Sequence, residues 1–74
     1  MDITLEVKRL LCPMPVIRLS EKIAELKSGD TIKIIATDKG VKNDIPAWCR
    51  VHNHKVISIN ELNNEVHILV EVLK

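Results

Sequence analysis

The stretch Ile3-Thr4-Leu5-Glu6-Val7-Lys8-Arg9-Leu10-Leu11-Cys12-Pro13-Met14-Pro15-Val16 changes its hydrophobic period half-way along, and that change decides the fold. Up to Val7, apolar and polar residues alternate, as in a strand with one buried face. Beyond the prolines, Val16, Leu19, Ile23 and Leu26 recur at three- and four-residue steps, with Arg18, Glu21, Lys22 and Glu25 between them, which predicts an amphipathic helix. Proline suits the first turn of a helix, because the amide it lacks would have no partner there and its φ is already helical. Pro13 and Pro15 therefore mark a rigid helix start, and Gly29 offers a left-handed stop.

Thr31 to Ala36 is rich in β-branched residues and predicts a second strand, so the opening unit is βαβ with a right-handed crossover. Thr37 to Gly40 reads as a loop. A second helix is expected from about Val41 or Asn43 to His52, with Val41, Ile45, Trp48, Cys49 and His52 on one stripe. Proline inside a helix removes a hydrogen bond and clashes with the preceding turn. The expectation is therefore that Asp44 or Ile45 caps this helix, that Pro46 sits in its first turn, and that Asn53 takes the left-handed stop. Val56 to Leu62 and Val66 to Leu73 read as strands joined by a tight Asn63-Asn64 hairpin turn. The class is α+β: a two-layer α/β sandwich in the order β-α-β-α-β-β, a four-stranded mixed sheet with two helices on one face, and a single domain over residues 1–74. The other sheet face, with Glu6, Lys33, His67, Leu69, Glu71 and Leu73, is either a docking surface or an ordinary solvated one.

The 74 residues are 46% apolar with Trp48 the one aromatic, so the core must be aliphatic. A core of this size leaves about 3–5 kcal/mol of net stability. A net charge of +1 provides no basic stripe, and one aromatic provides no stacking platform, so no nucleic-acid partner is expected. There is no apolar run of the ~20 residues a membrane span needs and no secretion signal. Two cysteines without such a signal make no disulfide framework, which predicts a cytoplasmic protein with reduced thiols; a monomer is expected.

Cys12 is the candidate reactive group. A residue before proline is pushed toward extended conformations, so this thiol is expected to stand off the helix end in solvent, where the helix dipole favours thiolate. The two prolines donate nothing, which leaves the amides of Met14, Val16 or Cys12 itself to reach the sulfur and predicts moderate acidity. Lys8, Arg9, Arg18 and Lys22 either frame the site with positive charge for an acidic partner or simply solvate their elements. Met14 is a flexible apolar side chain suited to partner recognition or to packing. Cys49, beside Trp48 on an apolar stripe, reads as packed, with a resolving thiol as the alternative. Cys49, His52 and His54 do not converge as zinc ligands do, so neither metal nor cofactor is expected. His67 reads as exposed and idle.

The run from Leu5 to Pro15 resembles the signature of the TusA (SirA-like) sulfur carrier family, in which Leu-Asp precedes Gly-Leu-x-Cys-Pro-x-Pro. Asp38 with Asp44-Ile45-Pro46-Ala47-Trp48-Cys49 is similar to that family's second motif, and His54 stands where the family has Gly-His. Glu6 replaces the usual Asp, while Arg9 and Asn53 each replace a Gly. The resemblance implies a sulfurtransferase-type covalent carrier rather than a self-sufficient enzyme. Cys12 would accept sulfane sulfur as a persulfide from a cysteine desulfurase or rhodanese-like donor and pass it to an acceptor protein. Implied destinations are tRNA thiolation, molybdenum cofactor synthesis and sulfur oxidation. The alternatives are a redox switch at Cys12, with or without Cys49, and a non-catalytic protein- or RNA-binding module.

Overall fold

The computed structural model describes residues 2–11 and 13–74, and its elements run β1 (Asp2–Val7), α1 (Met14–Ile23), β2 (Thr31–Ala36), α2 (Val41–Val51), β3 (Lys55–Leu62) and β4 (Glu65–Glu71). Met1 and Cys12 lie outside the described residues. The strands form one mixed sheet in the order β1-β2-β4-β3, with β1 and β2 parallel and β4 antiparallel to both its neighbours. This is the expected α+β sandwich. Strand alternation sorts the side chains cleanly. Val7, Ile32, Ile34, Ala36, Val66, Ile68 and Val70 turn to one face and are buried there beneath Leu19 and Ile23 of α1 and Val41, Ile45 and Cys49 of α2. Apart from Cys49 this core is aliphatic, and among the described residues it contains no charged side chain.

Helix boundaries depart from expectation at two places. The first helix ends at Ile23, not near Leu26, and Gly29 does not stop it. Lys74 reaches across and donates from Nζ to the carbonyls of Ile23 (2.8 Å), which also accepts the Leu26 amide at 3.0 Å, and of Leu26 (2.6 Å), so tying the C-terminus to this helix end. Gly29, at φ +96°, shapes the turn into β2, and its amide donates to the Val72 carbonyl at 2.8 Å. The second helix begins at Val41, with Pro46 inside it rather than in a first turn capped by Asp44 or Ile45. The loop before it makes this possible. Asp38 accepts the Gly40 amide at 2.9 Å, and the Asp38, Lys39 and Gly40 carbonyls accept the amides of Val41, Lys42 and Asn43. The helix is thus nucleated one turn ahead of Pro46, whose missing amide leaves only the Lys42 carbonyl without its usual partner.

Asn53 takes the left-handed stop as expected, at φ +63°. The His54 amide then donates to the Cys49 carbonyl at 2.8 Å and the Asn53 amide to the Arg50 carbonyl at 3.4 Å, which is a Schellman ending. In the hairpin, Asn63 (φ +52°) and Asn64 (φ +63°) both sit at positive φ between the paired Leu62 and Glu65, as a two-residue primed turn requires. Ile57 is an extra residue in β3, bulged between Val56 and Ser58.

Because β1, β2 and β3 all run in one direction, both helices return in the other, and both helix N-termini lie at the carboxyl ends of those strands. The segment Lys8–Leu11, Pro13, and the segments Thr37–Gly40 and Asn63–Asn64 share that end. On the helix-free face, pairing sets side chains in rows: Thr4, Lys33, Leu69, Ser58, then Glu6, Ile35, His67, Asn60, then Glu65 and Leu62.

The Cys-Pro turn as candidate functional site

Val7 is buried, and the chain must turn off the sheet immediately after it to reach α1. A turn closed by the Leu10 amide on the Val7 carbonyl (3.4 Å) does this, with Arg9 in its third position at φ +67°. That position calls for glycine or asparagine, since a Cβ there crowds the backbone. Arg9 is held nonetheless, because its amide donates to Thr37 Oγ1 at 2.8 Å and so ties the turn to the loop after β2. Leu10 packs against the core, while Leu11 beyond it is 75% exposed.

Pro13 is the N-cap of α1 and is exposed, and Pro15 occupies the first turn and is buried. The expected solvent exposure of the Cys12 thiol falls on a residue outside the described ones. Its neighbours are informative. Two of the amides expected to serve the sulfur are already engaged: Met14 donates to the Leu11 carbonyl at 2.9 Å, and Val16 to the Pro13 carbonyl at 3.1 Å. Among the described residues, what this helix end has left to favour an anion is its dipole and nearby cations.

Those cations divide. Lys8 turns to the helix-free face, where Nζ lies 2.9 Å from Glu65, and this contact raises the Lys8 pKa while lowering that of the carboxylate. Arg18 pairs with Glu21 at 3.3 Å along its own helix. Lys22 stands eight residues beyond Met14, about 12 Å along α1, and so belongs to the far end of the helix. Only Arg9, among the four, is beside the turn without an ion pair among the described residues. Lys39 and Lys42, unremarked in the sequence because they lie thirty residues away, come to the same end, where Lys42 pairs with Glu61 and Lys39 adds its field. The sequence reading also missed Leu11 and Ile17. Both are apolar and exposed, at 75% and 42%, and with half-buried Met14 they give the turn an apolar rim.

Cys49 is 1% exposed, and burial pushes its thiol up to about 11. It is a packed residue at ordinary pH, held as the unreactive thiol. A disulfide scheme using it would require opening the core. Trp48 stacks on His52 with ring centroids 4.3 Å apart and on His54 at 5.5 Å. His54 Nδ1 accepts the Leu73 amide at 3.1 Å, and burial first, then His52 and Lys74, holds its pKa below the usual histidine value. Its work is to tie the start of β3 to the end of β4, a role with no signature in sequence. His67 is not idle as expected: it lies 3.2 Å from Glu65 and lines a hollow in the open sheet face. Among the described residues no cluster is suited to a metal ion.

With this geometry in place, comparison with known proteins is decisive. The family model for sulfurtransferase TusA matches residues 3–72. The chain belongs to the TusA family. It is 43% identical over 56 residues to the putative sulfur carrier protein YrkI of Bacillus subtilis, covering 76% of this chain and 75% of that protein. To the sulfur carrier protein TusA of Pseudomonas entomophila it is 38% identical over 60 residues, covering 81% of this chain and 75% of the other. The fold matches the crystal structure of a SirA-like protein from Desulfitobacterium hafniense, with a TM-score of 0.85 over 97% of this chain and 99% of that one, at 19% identity. Membership of this family assigns a sulfur carrier role that works through protein partners. Among the described residues no helix is long and apolar enough to cross a membrane.

Proposed function

We propose that this chain carries sulfane sulfur as a persulfide on Cys12 and relays it from one protein to another. The observation that carries the reading is the placement of the Cys-Pro turn: Leu11 and Pro13, on either side of Cys12, are both exposed at the end of the molecule where both helix N-termini and the Arg9 turn meet. The Cys12 thiolate attacks the outer sulfur of a donor persulfide. One S–S bond forms as the donor's own breaks, the donor leaves as a thiolate, and no oxidant is consumed. Discharge repeats the exchange with an acceptor thiolate, so no general base need reside on the carrier.

In this reading Pro13 and Pro15 fix the turn, and the dipole of α1 with the Arg9 guanidinium favours the anionic forms of the sulfur. Arg9 and the rim of Leu11, Met14 and Ile17 meet the partner. Arg18 and Lys22 contribute at its periphery. The donor is a cysteine desulfurase or a rhodanese-like protein, and the protein works as a cytoplasmic monomer.

Loading and discharge test this together. Incubation with a cysteine desulfurase and L-cysteine should add the mass of one sulfur atom per chain, and a thiol acceptor should remove it. The Cys12→Ser variant should stay folded and take up none. Loading of that variant to the wild-type extent would overturn the assignment.

A further inference from the structure

The helix-free sheet face contains a half-open hollow of about 190 Å³, lined by Lys33, Ser58, Asn60, Leu62, His67 and Leu69. Three strands build it. Leu69 and His67 of β4 form the floor, Lys33 of β2 is one wall, and Ser58, Asn60 and Leu62 of β3 are the other. The hydrogen-bonded ladder fixes the backbone from which these side chains rise.

Its chemistry is graded along the strand direction. Lys33 and Ser58 share the Leu69 row, placed across it about two strand spacings, or roughly 10 Å, apart. Asn60 follows in the next row beside His67, and Leu62 closes the far end opposite Glu65. Lys33 makes no ion pair among the described residues, although Glu6 and Glu71 stand on its own face one row away on either side. The ammonium and the hydroxyl thus flank the Leu69 end from opposite walls, with the Asn60 amide one row further along. The opposite end is apolar at Leu62 and closes on the Glu65 carboxylate, which already serves Lys8 and His67 and would repel an anion.

We propose that this hollow is a second binding site, separate from the Cys12 turn, for a short-chain aliphatic carboxylate. The head group takes hydrogen bonds from Lys33, Ser58 and Asn60. The stem lies over Leu69 and His67 and ends against Leu62. Its volume corresponds to about six water molecules at ~30 Å³ each, which limits the occupant to a small acid. Water released from Leu62 and Leu69 adds to the attraction between the ammonium and the carboxylate.

The test is a titration of the ¹⁵N-labelled chain with sodium hexanoate at constant ionic strength, followed by amide shifts, with hexanol and sodium chloride as controls. Saturable shifts confined to the amides of Lys33, Ser58, Asn60, Leu62, His67 and Leu69 are expected, with neither control reproducing them. Lys33→Met should weaken binding about tenfold, and Leu62→Ser should weaken hexanoate while leaving acetate unaffected. Both positions are exposed, so the variants should retain the wild-type spectrum elsewhere. Shifts that rise without saturating, that spread over the helix lysines, or that persist unchanged in Lys33→Met would overturn the proposal. So would saturation by the blocked peptide acetyl-Leu-Glu-Leu-amide but not by hexanoate, because the face would then be a protein docking surface.

Discussion

Arg9 holds a backbone conformation that suits glycine. Its turn is left-handed, at φ +67°, with a long side chain forced into it. Such a conformation costs about 1–2 kcal/mol for a residue with a Cβ, and strain of this kind persists where surroundings over-determine the backbone. Arg9→Gly should relieve it and raise stability by about 1 kcal/mol, part of the gain being offset by a more flexible unfolded chain. Urea midpoints would measure this, and loss of stability would mean the Arg9 side chain itself holds the turn. That Arg9 stands where the family has glycine is visible in the sequence, but the turn that a glycine would serve is not. Cys49, by contrast, is legible as packed because it shares a stripe with Val41 and Ile45. Cys49→Ala should cost about 1–2 kcal/mol through the cavity it leaves and should load sulfur normally.

At the scale of elements, strand periods, turn chemistry and the two ends of α2 are readable, and the end of α1 is not. The Asn63-Asn64 hairpin and the Asn53 stop follow from local preferences that no distant contact opposes. The end of α1 depends on Lys74, fifty-one residues from Ile23, which no window along the chain can connect. Lys74→Ala should lower stability by about 1 kcal/mol, with the earliest loss of amide protection at the C-terminal turn of α1 in hydrogen exchange. The start of α2 at Val41 is one of the two expected, but its capping is hidden: Pro46 looks like a first-turn residue because the Asp38–Gly40 loop that nucleates the helix carries no strong signal of its own.

His54 gives its element a pH dependence of definite sign. The folded state holds this histidine below its ordinary value of 6.5, so the unfolded chain protonates first as pH falls. Its contribution to stability is therefore complete above 6.5 and declines as the pH drops from there toward the folded value. Replacing His54 with Asn, which keeps an acceptor for the Leu73 amide but does not titrate, should flatten the change in urea midpoint between about pH 7 and pH 5. An unchanged slope would show that His54 is not the source of this pH dependence.

Across the whole molecule, one consequence of topology outweighs the local detail. A β-α-β-α-β-β chain whose first three strands run the same way must bring both helix N-termini and the Arg9 turn to one end, and must leave one sheet face without a helix. Both follow from the element order. What that face does is not legible there, because its rows depend on register. Ser58 and Asn60 join Lys33 and Leu69 only after the Ile57 bulge shifts β3 by one residue. Glu65 links the two regions, with one oxygen on Lys8 beside the turn and the other on His67 in the hollow. The contacts hold its pKa below the ordinary 4.5, so their stabilisation is present above that value and lost as pH falls through the depressed one. Glu65→Gln should accordingly be less stable than wild type at about pH 7 and indistinguishable from it in strong acid, as followed by circular dichroism.

The central claim is that Cys12 alone bears the travelling sulfur. Proteolysis and mass mapping of the wild-type chain, loaded by a cysteine desulfurase and trapped by alkylation, test it most directly. The account predicts a single added sulfur on the peptide containing Cys12 and an unmodified thiol at Cys49. A sulfur found at Cys49, or a disulfide joining the two cysteines in place of added sulfur, would contradict it.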